Sequence, residues 1–257
     1  MPRLAYSRTS DEVPKRSERL RLVRSSEIVI TPAYVLRWLL GALALVFTAN
    51  LMVQVARHGL DLGHVYGLWR MFDVNQEANI PTYFSGLLLF AGAVLFFVIG
   101  KKCAAGRRPF AGHWLLFAAL FALLSVDEVA MLHELVGRRL MVLLGDENVP
   151  NGLRWTSVYL AGAVAVTALS LRFFLHLDKT HRMLFGLAAA VFVAGAAGLE
   201  IVAGSLIVAR PETEMLAFVL LFTTEETMEM LGVIILIYAQ LHWLAEDRSP
   251  IVLKFRK

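Results

Sequence analysis

One cysteine, Cys103, in 257 residues leaves no intramolecular disulfide and no multi-cysteine metal centre. Charge is sparse as well: 18% of residues are charged, 58% are hydrophobic, and the mean hydropathy is +0.62. A soluble domain is less apolar and more highly charged, and too little chain lies outside the apolar runs to build one. Several chemistries also lack their fingerprints. No G-x-S-x-G elbow, Walker A loop or dinucleotide-binding glycine pattern is present. "HELVG" at 133–137 opens like a zincin helix, but Gly137 stands where HExxH needs its second histidine. The seven histidines (58, 64, 113, 133, 176, 181 and 242) include no i, i+4 pair of the kind that histidine-rich intramembrane hydrolases and desaturases use. Internal repeats, low-complexity tracts and inverted symmetry are absent too.

What the chain has is long apolar runs. Six candidate spans, 33–56, 81–100, 112–136, 154–175, 183–208 and 215–243, approach or exceed the roughly 20 residues a helix needs to cross the hydrocarbon. The expected fold is all-α, a polytopic six-helix bundle over residues 31–244. A basic arm (1–30) and a short tail (245–257) flank it. The arm holds seven Lys/Arg and shows no cleavable signal peptide; its expected partner is anionic lipid. Basic residues set the orientation. With the N-terminus inside, the inner segments hold 18 Lys/Arg and the outer ones six, so both termini are expected in the cytoplasm, in an inner membrane. The net charge of +4 then reflects loops on one membrane face and no nucleic-acid partner. Ala190, Ala194 and Gly198 form a small-residue face suited to helix contact. A homo-oligomer is compatible with the sequence.

Against this background the acids stand out. Seven of 21 fall within the candidate spans: Asp127, Glu128, Glu134, Glu200, Glu225, Glu226 and Glu229. Each acid at mid-membrane costs about 2.5–3.5 kcal/mol even on the lenient insertion scale. Seven unpaired charges would exceed a typical stability of about 5–15 kcal/mol, so protons, water, His133 or metal ions must neutralise them. At about 1.5 Å per residue, Asp127, Glu200, Glu225 and Asn50 fall in one slab, roughly 9–15 Å below the outer ends of four helices. Asn50, Gln54 and His58 form an i, i+4, i+8 stripe facing that region. On an uninterrupted third helix Asp127 and Glu134 are nearly aligned, whereas Glu128 and His133 point to opposite sides. One of those two is then expected at the rim.

A carboxylate-rich site with one histidine suits hard or borderline divalent metals, with Fe, Mn or Zn as the candidates. The candidate ligands are Asp127, Glu128, His133, Glu134, Glu200, Glu225, Glu226 and Glu229. Asn50, Gln54, His58, Glu77, Asn79 and Ser85 are candidate lining residues. Glu226-x-x-Glu229 has the spacing of a di-metal helix motif without its histidine. Three functions fit: a metal-dependent or acid–base membrane enzyme acting on a lipid or other membrane-dissolved substrate; a proton- or cation-coupled transporter; and an accessory subunit whose acids hydrogen-bond one another. Transport is disfavoured by the apolar inner halves of the spans.

Two segments carry a family resemblance. "FDVNQEANIPTYFSGLLLF" (72–90) supplies Asp73, Glu77, Asn79, Pro81, Thr82, Tyr83, Phe84 and Ser85; "SVDEVAMLHE" (125–134) supplies Ser125, Asp127, Glu128, His133 and Glu134. Together they resemble a group of uncharacterised bacterial multi-pass membrane proteins with D-x-x-x-E-x-N-x-P-T-[WY]-[FY]-S and S-x-D-E…H-E segments. The resemblance covers roughly residues 60–140. It implies a bacterial inner-membrane protein and brings no activity with it. Physically, the first segment reads either as a lid over the acids or as a solvated outer turn that enters a helix at Pro81, with Asp73 and Glu77 at the surface above the acids.

Overall fold

The computed structural model describes residues 31–60, 68–144, 151–209 and 215–247. The basic arm expected to meet anionic lipid and the tail beyond Asp247 lie outside the described residues. All regular structure among the described residues is helical: α1 (Pro32–Gln54), α2 (Leu68–Phe72), α3 (Ile80–Ala105), α4 (Ala111–Ala130), α5 (Leu132–Leu144), α6 (Asn151–His176), α7 (Lys179–Val193), α8 (Glu200–Ala209) and α9 (Met215–Glu246). A π-helical turn, Val55–Gly59, follows α1, and another, Ala194–Leu199, joins α7 to α8. Six stretches are long and apolar enough to cross a membrane: Pro32–His58, Ile80–Ala105, Ala111–Ala130, Leu153–His176, Lys179–Leu206 and Leu216–Glu246. The chain is an all-α polytopic membrane protein.

Local chemistry fixes the helix starts. Thr31 caps α1 by accepting the Tyr34 N–H, and Pro32 opens the first turn. Asn79 caps α3 by accepting the Thr82 N–H at 3.0 Å, with Pro81 in the first turn. Asp178 caps α7 through the His181 N–H at 3.1 Å. The outward faces are apolar: Leu45 and Leu169 are 74% and 73% exposed, and many other large hydrophobic residues are exposed with them. Each such side chain left in water would forgo about 1.5–3 kcal/mol. Acyl chains are the solvent in which these faces are stable.

The bundle is organised round α9, which packs on α1, α3, α7 and the second π turn. Met230, Val233, Ile234 and Ile237 of α9 meet Leu43 of α1 and Leu88 and Leu89 of α3. Close approach is bought by glycine: a Cβ on Gly232 would lie 2.7 Å from the Phe192 nitrogen, and one on Gly195 2.9 Å from the Glu225 carbonyl oxygen. The face expected from Ala190, Ala194 and Gly198 points outward instead. Contact runs through the buried Ala188 and Gly195, two helical turns apart.

The two ends of the bundle differ. One end gathers the aromatic side chains Phe96, Trp114, Phe117, Phe173 and Phe185 into a single core. The other gathers the acids and all the helix irregularity: both π turns and a break at Met131. The helix read from sequence as continuous to residue 136 stops at Ala130, because Met131 adopts φ 54°, in the left-handed region. The Asp127 carboxylate then accepts the His133 N–H at 2.7 Å and caps α5.

Candidate functional site

The carboxylate end is built on a hydrogen-bonded seat. Asp73, expected at the surface, is 2% exposed. Its Oδ1 accepts from Gln54 Nε2 at 2.9 Å and from the Asn75 N–H at 3.1 Å, and Arg57 stands 3.5 Å from its Oδ2. Gln54 also donates to Asn50 Oδ1 at 3.2 Å, and Asn50 Nδ2 donates to Thr223 Oγ1 at 3.1 Å. Asn79 Nδ2 donates to the Asp73 and Arg70 carbonyls at 2.6 and 3.1 Å. The segment between α2 and α3 is thereby tied to α1 and, through Asn50, to α9. Buried polar groups so paired avoid the desolvation penalty of about 1–3 kcal/mol each.

Beside this seat lies the acid cluster. The break at Met131 turns His133 back over α4, so its Nδ1 lies 3.5 Å from Asp127 Oδ1 and its Nε2 3.6 Å from Glu77 Oε1. The ring also packs on Trp155, with centroids 4.9 Å apart. His133 lies beyond Ala111–Ala130, the stretch to which the break at Met131 shortens the third span. Burial alone would lower its pKa, but the neighbouring carboxyls of Asp127 and Glu77 outweigh burial and push it up to about 10. Asp127 and His133 thus form a close carboxylate–imidazole pair.

The glutamates have different company. Glu128, next to Ser85, interacts with Glu77 and His133. Glu200 and Glu225 interact directly across the helices. The charges around Glu226 and Glu229 are those of Glu77, Glu128, Glu200, Glu225 and His133. Glu225 is buried, and its Oε2 has no hydrogen-bond partner among the described residues. Carboxyls crowded in this way would repel one another if all were ionised.

The structure brings together most of the residues singled out in sequence. Asp127, Glu128, His133, Glu200, Glu225, Glu226 and Glu229 form one interacting group, with Glu77 at its edge and Glu134 beside Glu200. Glu128 and His133, expected to diverge, meet because the helix between them is broken. Asn50, Gln54 and Asn79 belong to the seat, and Ser85 is buried beside Glu128. His58 is exposed, since the π turn from Val55 rotates it away from the Asn50–Gln54 face. Tyr159 of α6, which contacts Asp127, was missed; its place opposite the site has no sequence periodicity to announce it.

A second polar group sits at the aromatic end. His181 of α7 and His242 and Glu246 of α9 bring ligating atoms within 4.8 Å of one another. Among the described residues, this is the set with donor spacing able to hold a metal ion. His181 and His242 lie 61 residues apart, so no local pattern in the sequence pairs them. The available signal was spacing: Asp178-x-x-His181 opens one helix and His242-x-x-x-Glu246 closes another.

No curated protein and no solved structure matches the chain. One family model, described as a domain of unknown function (DUF8692), matches residues 38–244 and so covers the carboxylate cluster entire. With that match over most of its length, the chain belongs to the DUF8692 family of domains of unknown function.

Proposed function

We propose that the carboxylate end is the working site of an integral membrane enzyme that performs acid–base chemistry on a lipid or another membrane-dissolved substrate. In this reading the carboxylate end faces away from the cytoplasm, as the basic residues direct. One observation carries it: Asp127, 3.5 Å from the His133 ring, lies beside glutamates whose charged neighbours are chiefly one another. Proton acceptor and proton donor then coexist at one site, which is the division of labour general acid–base catalysis needs. Asp127 is the base and the Glu226–Glu229 pair holds the protons. A metal at this end has less support, since the ligand spacing found among the described residues lies at the other end. Proton-coupled transport requires polar steps through the remaining thickness, where Phe96, Trp114, Phe117 and Phe173 pack together instead.

Infrared spectroscopy at neutral pH tests the proton-sharing basis. The purified protein should show a carboxylic-acid carbonyl band that weakens in Glu226→Gln and in Glu229→Gln; without that band the proposal fails. Lipid profiles of membranes holding the parent or Asp127→Asn test the enzyme. A species formed or consumed by the parent alone supports it. Unchanged lipids together with pH-driven flux in liposomes would replace it by transport.

A further inference from the structure

We infer that His181, His242 and Glu246 form a binding site for a borderline divalent ion such as Zn2+ at the aromatic end of the bundle, with Asp178 as the residue that aims His181. The site is separate from the carboxylate cluster and does not depend on the function proposed for it.

The argument begins with Asp178. Its Oδ1 accepts the His181 N–H, and its Oδ2 holds Nδ1 of the same residue's ring. A carboxylate at Nδ1 keeps the proton there and leaves Nε2 with its lone pair free for a Lewis acid. That Nε2 faces His242 Nδ1 at 3.3 Å, and Glu246 Oε1 lies 3.6 Å from the same His242 atom. The first separation is at the long end for a hydrogen bond to nitrogen and the second lies beyond it. They suit ligands sharing one ion: with Zn–N bonds of about 2.0–2.1 Å, tetrahedral ligand atoms stand roughly 3.3–3.4 Å apart.

The scaffold supplies rigidity on one side and access on the other. The His181 ring is 1% exposed, held near Phe185 and beside His242, whereas the Glu246 side chain is 58% exposed. His242 and Glu246 share a helical face one turn apart. An open groove of about 380 Å³, lined by Arg108, Asp178, His181, Trp243, Glu246 and Asp247, runs past the group. Two of the three ligands, His181 and Glu246, line this groove, which leaves a coordination position open to water or an exogenous ligand, the pattern of reactive metal sites and not of closed structural ones.

The test uses the full chain, purified without a polyhistidine tag and stripped with a chelator. Cobalt(II) titration followed by visible spectroscopy should give one tetrahedral ion per chain, displaced by Zn2+. His242→Ala should abolish the signal. Asp178→Asn should keep the stoichiometry and weaken binding about 10–100-fold. Glu246→Gln, an exposed change that leaves the core untouched, should weaken it at least about tenfold and decides the matter if the histidine variant misfolds. Absence of cobalt binding in the parent overturns the inference, leaving a plain Asp178–His181–His242 hydrogen-bond chain. So does binding that Glu246→Gln and Asp178→Asn both retain at full strength. Loss in Glu226→Gln with retention in His242→Ala would put the metal at the other end and equally overturn it.

Discussion

The two ends of this bundle solve opposite problems with the same helices. At the aromatic end, Trp114 packs edge-on against Phe173 at 4.8 Å and near Trp243 at 5.6 Å, and α3, α4, α7 and α9 run there as regular helices. At the carboxylate end the helices are interrupted three times, by the π turns at Val55 and Ala194 and by the break at Met131. Irregular backbone inside a membrane is tolerated where it is buried in protein or lines a polar site. π turns within helices occur frequently at functional sites. The contrast teaches that regular helix geometry serves cohesion here, and that departures from it collect where side chains must be re-aimed.

The comparison can be broken most forcefully by removing one keystone from each end. Trp114→Ala empties a packed core and should cost about 3–5 kcal/mol, while leaving the carboxylic-acid infrared band unchanged. Asp127→Ala leaves His133 without its principal partner and should cost a similar amount, about 3–5 kcal/mol, with that band altered. Denaturation in detergent together with infrared spectra checks both; equal infrared responses would erase the distinction between the ends. A smaller effect is expected from Gly195→Ala, whose new Cβ would meet the Glu225 carbonyl at 2.9 Å and Met228 Cβ at 3.1 Å. It should lower stability by about 1–3 kcal/mol. Gly162→Ala, with nothing within 4 Å of the added carbon, should instead gain up to about 1 kcal/mol.

A further expected effect is a drift with pH. The pKa of His133 is raised from 6.5 in the unfolded chain to about 10 in the fold. Its contribution to stability is therefore complete below pH 6.5 and is lost as pH rises toward 10. Thermal melts across that window should fall for the parent. Glu77→Gln, which removes one of the two partners that raise the value, should show a shallower fall. A parent melting temperature that rises across the window would contradict the pairing.

Much of this architecture was legible in sequence because it rests on composition and count. Apolar runs of about 20 residues mark spans by themselves, and rise per residue places Asp127, Glu200, Glu225 and Asn50 at one level. The break at Met131 was not legible. "SVDEVAMLHE" contains no glycine or proline, and the turn is stabilised by a capping bond from Asp127 to a residue six positions on. An argument from helical angles, sound for a continuous helix, therefore separated Glu128 from His133 when the fold unites them. His58 misled for the same reason, since a π turn shifts the register after Gln54. The His181–His242 pairing is a tertiary event between helices, and no local pattern reports it.

The Asn50–Thr223 bond has a consequence for how the protein comes to exist. The helix on which α1, α3 and α7 all pack is the last of the six spans to be synthesised, since chains emerge from the N-terminal end. Until α9 is inserted, Asn50 has no Thr223, Gly195 faces no backbone, and the acids of α4 and α8 lack the glutamates they join. α3 and α4 can pack on each other before then, but the polar groups that α9 completes have only water or one another. A chain cut short before residue 215 would lack the helix on which α1, α3 and α7 all pack, and would keep those polar faces without their partners.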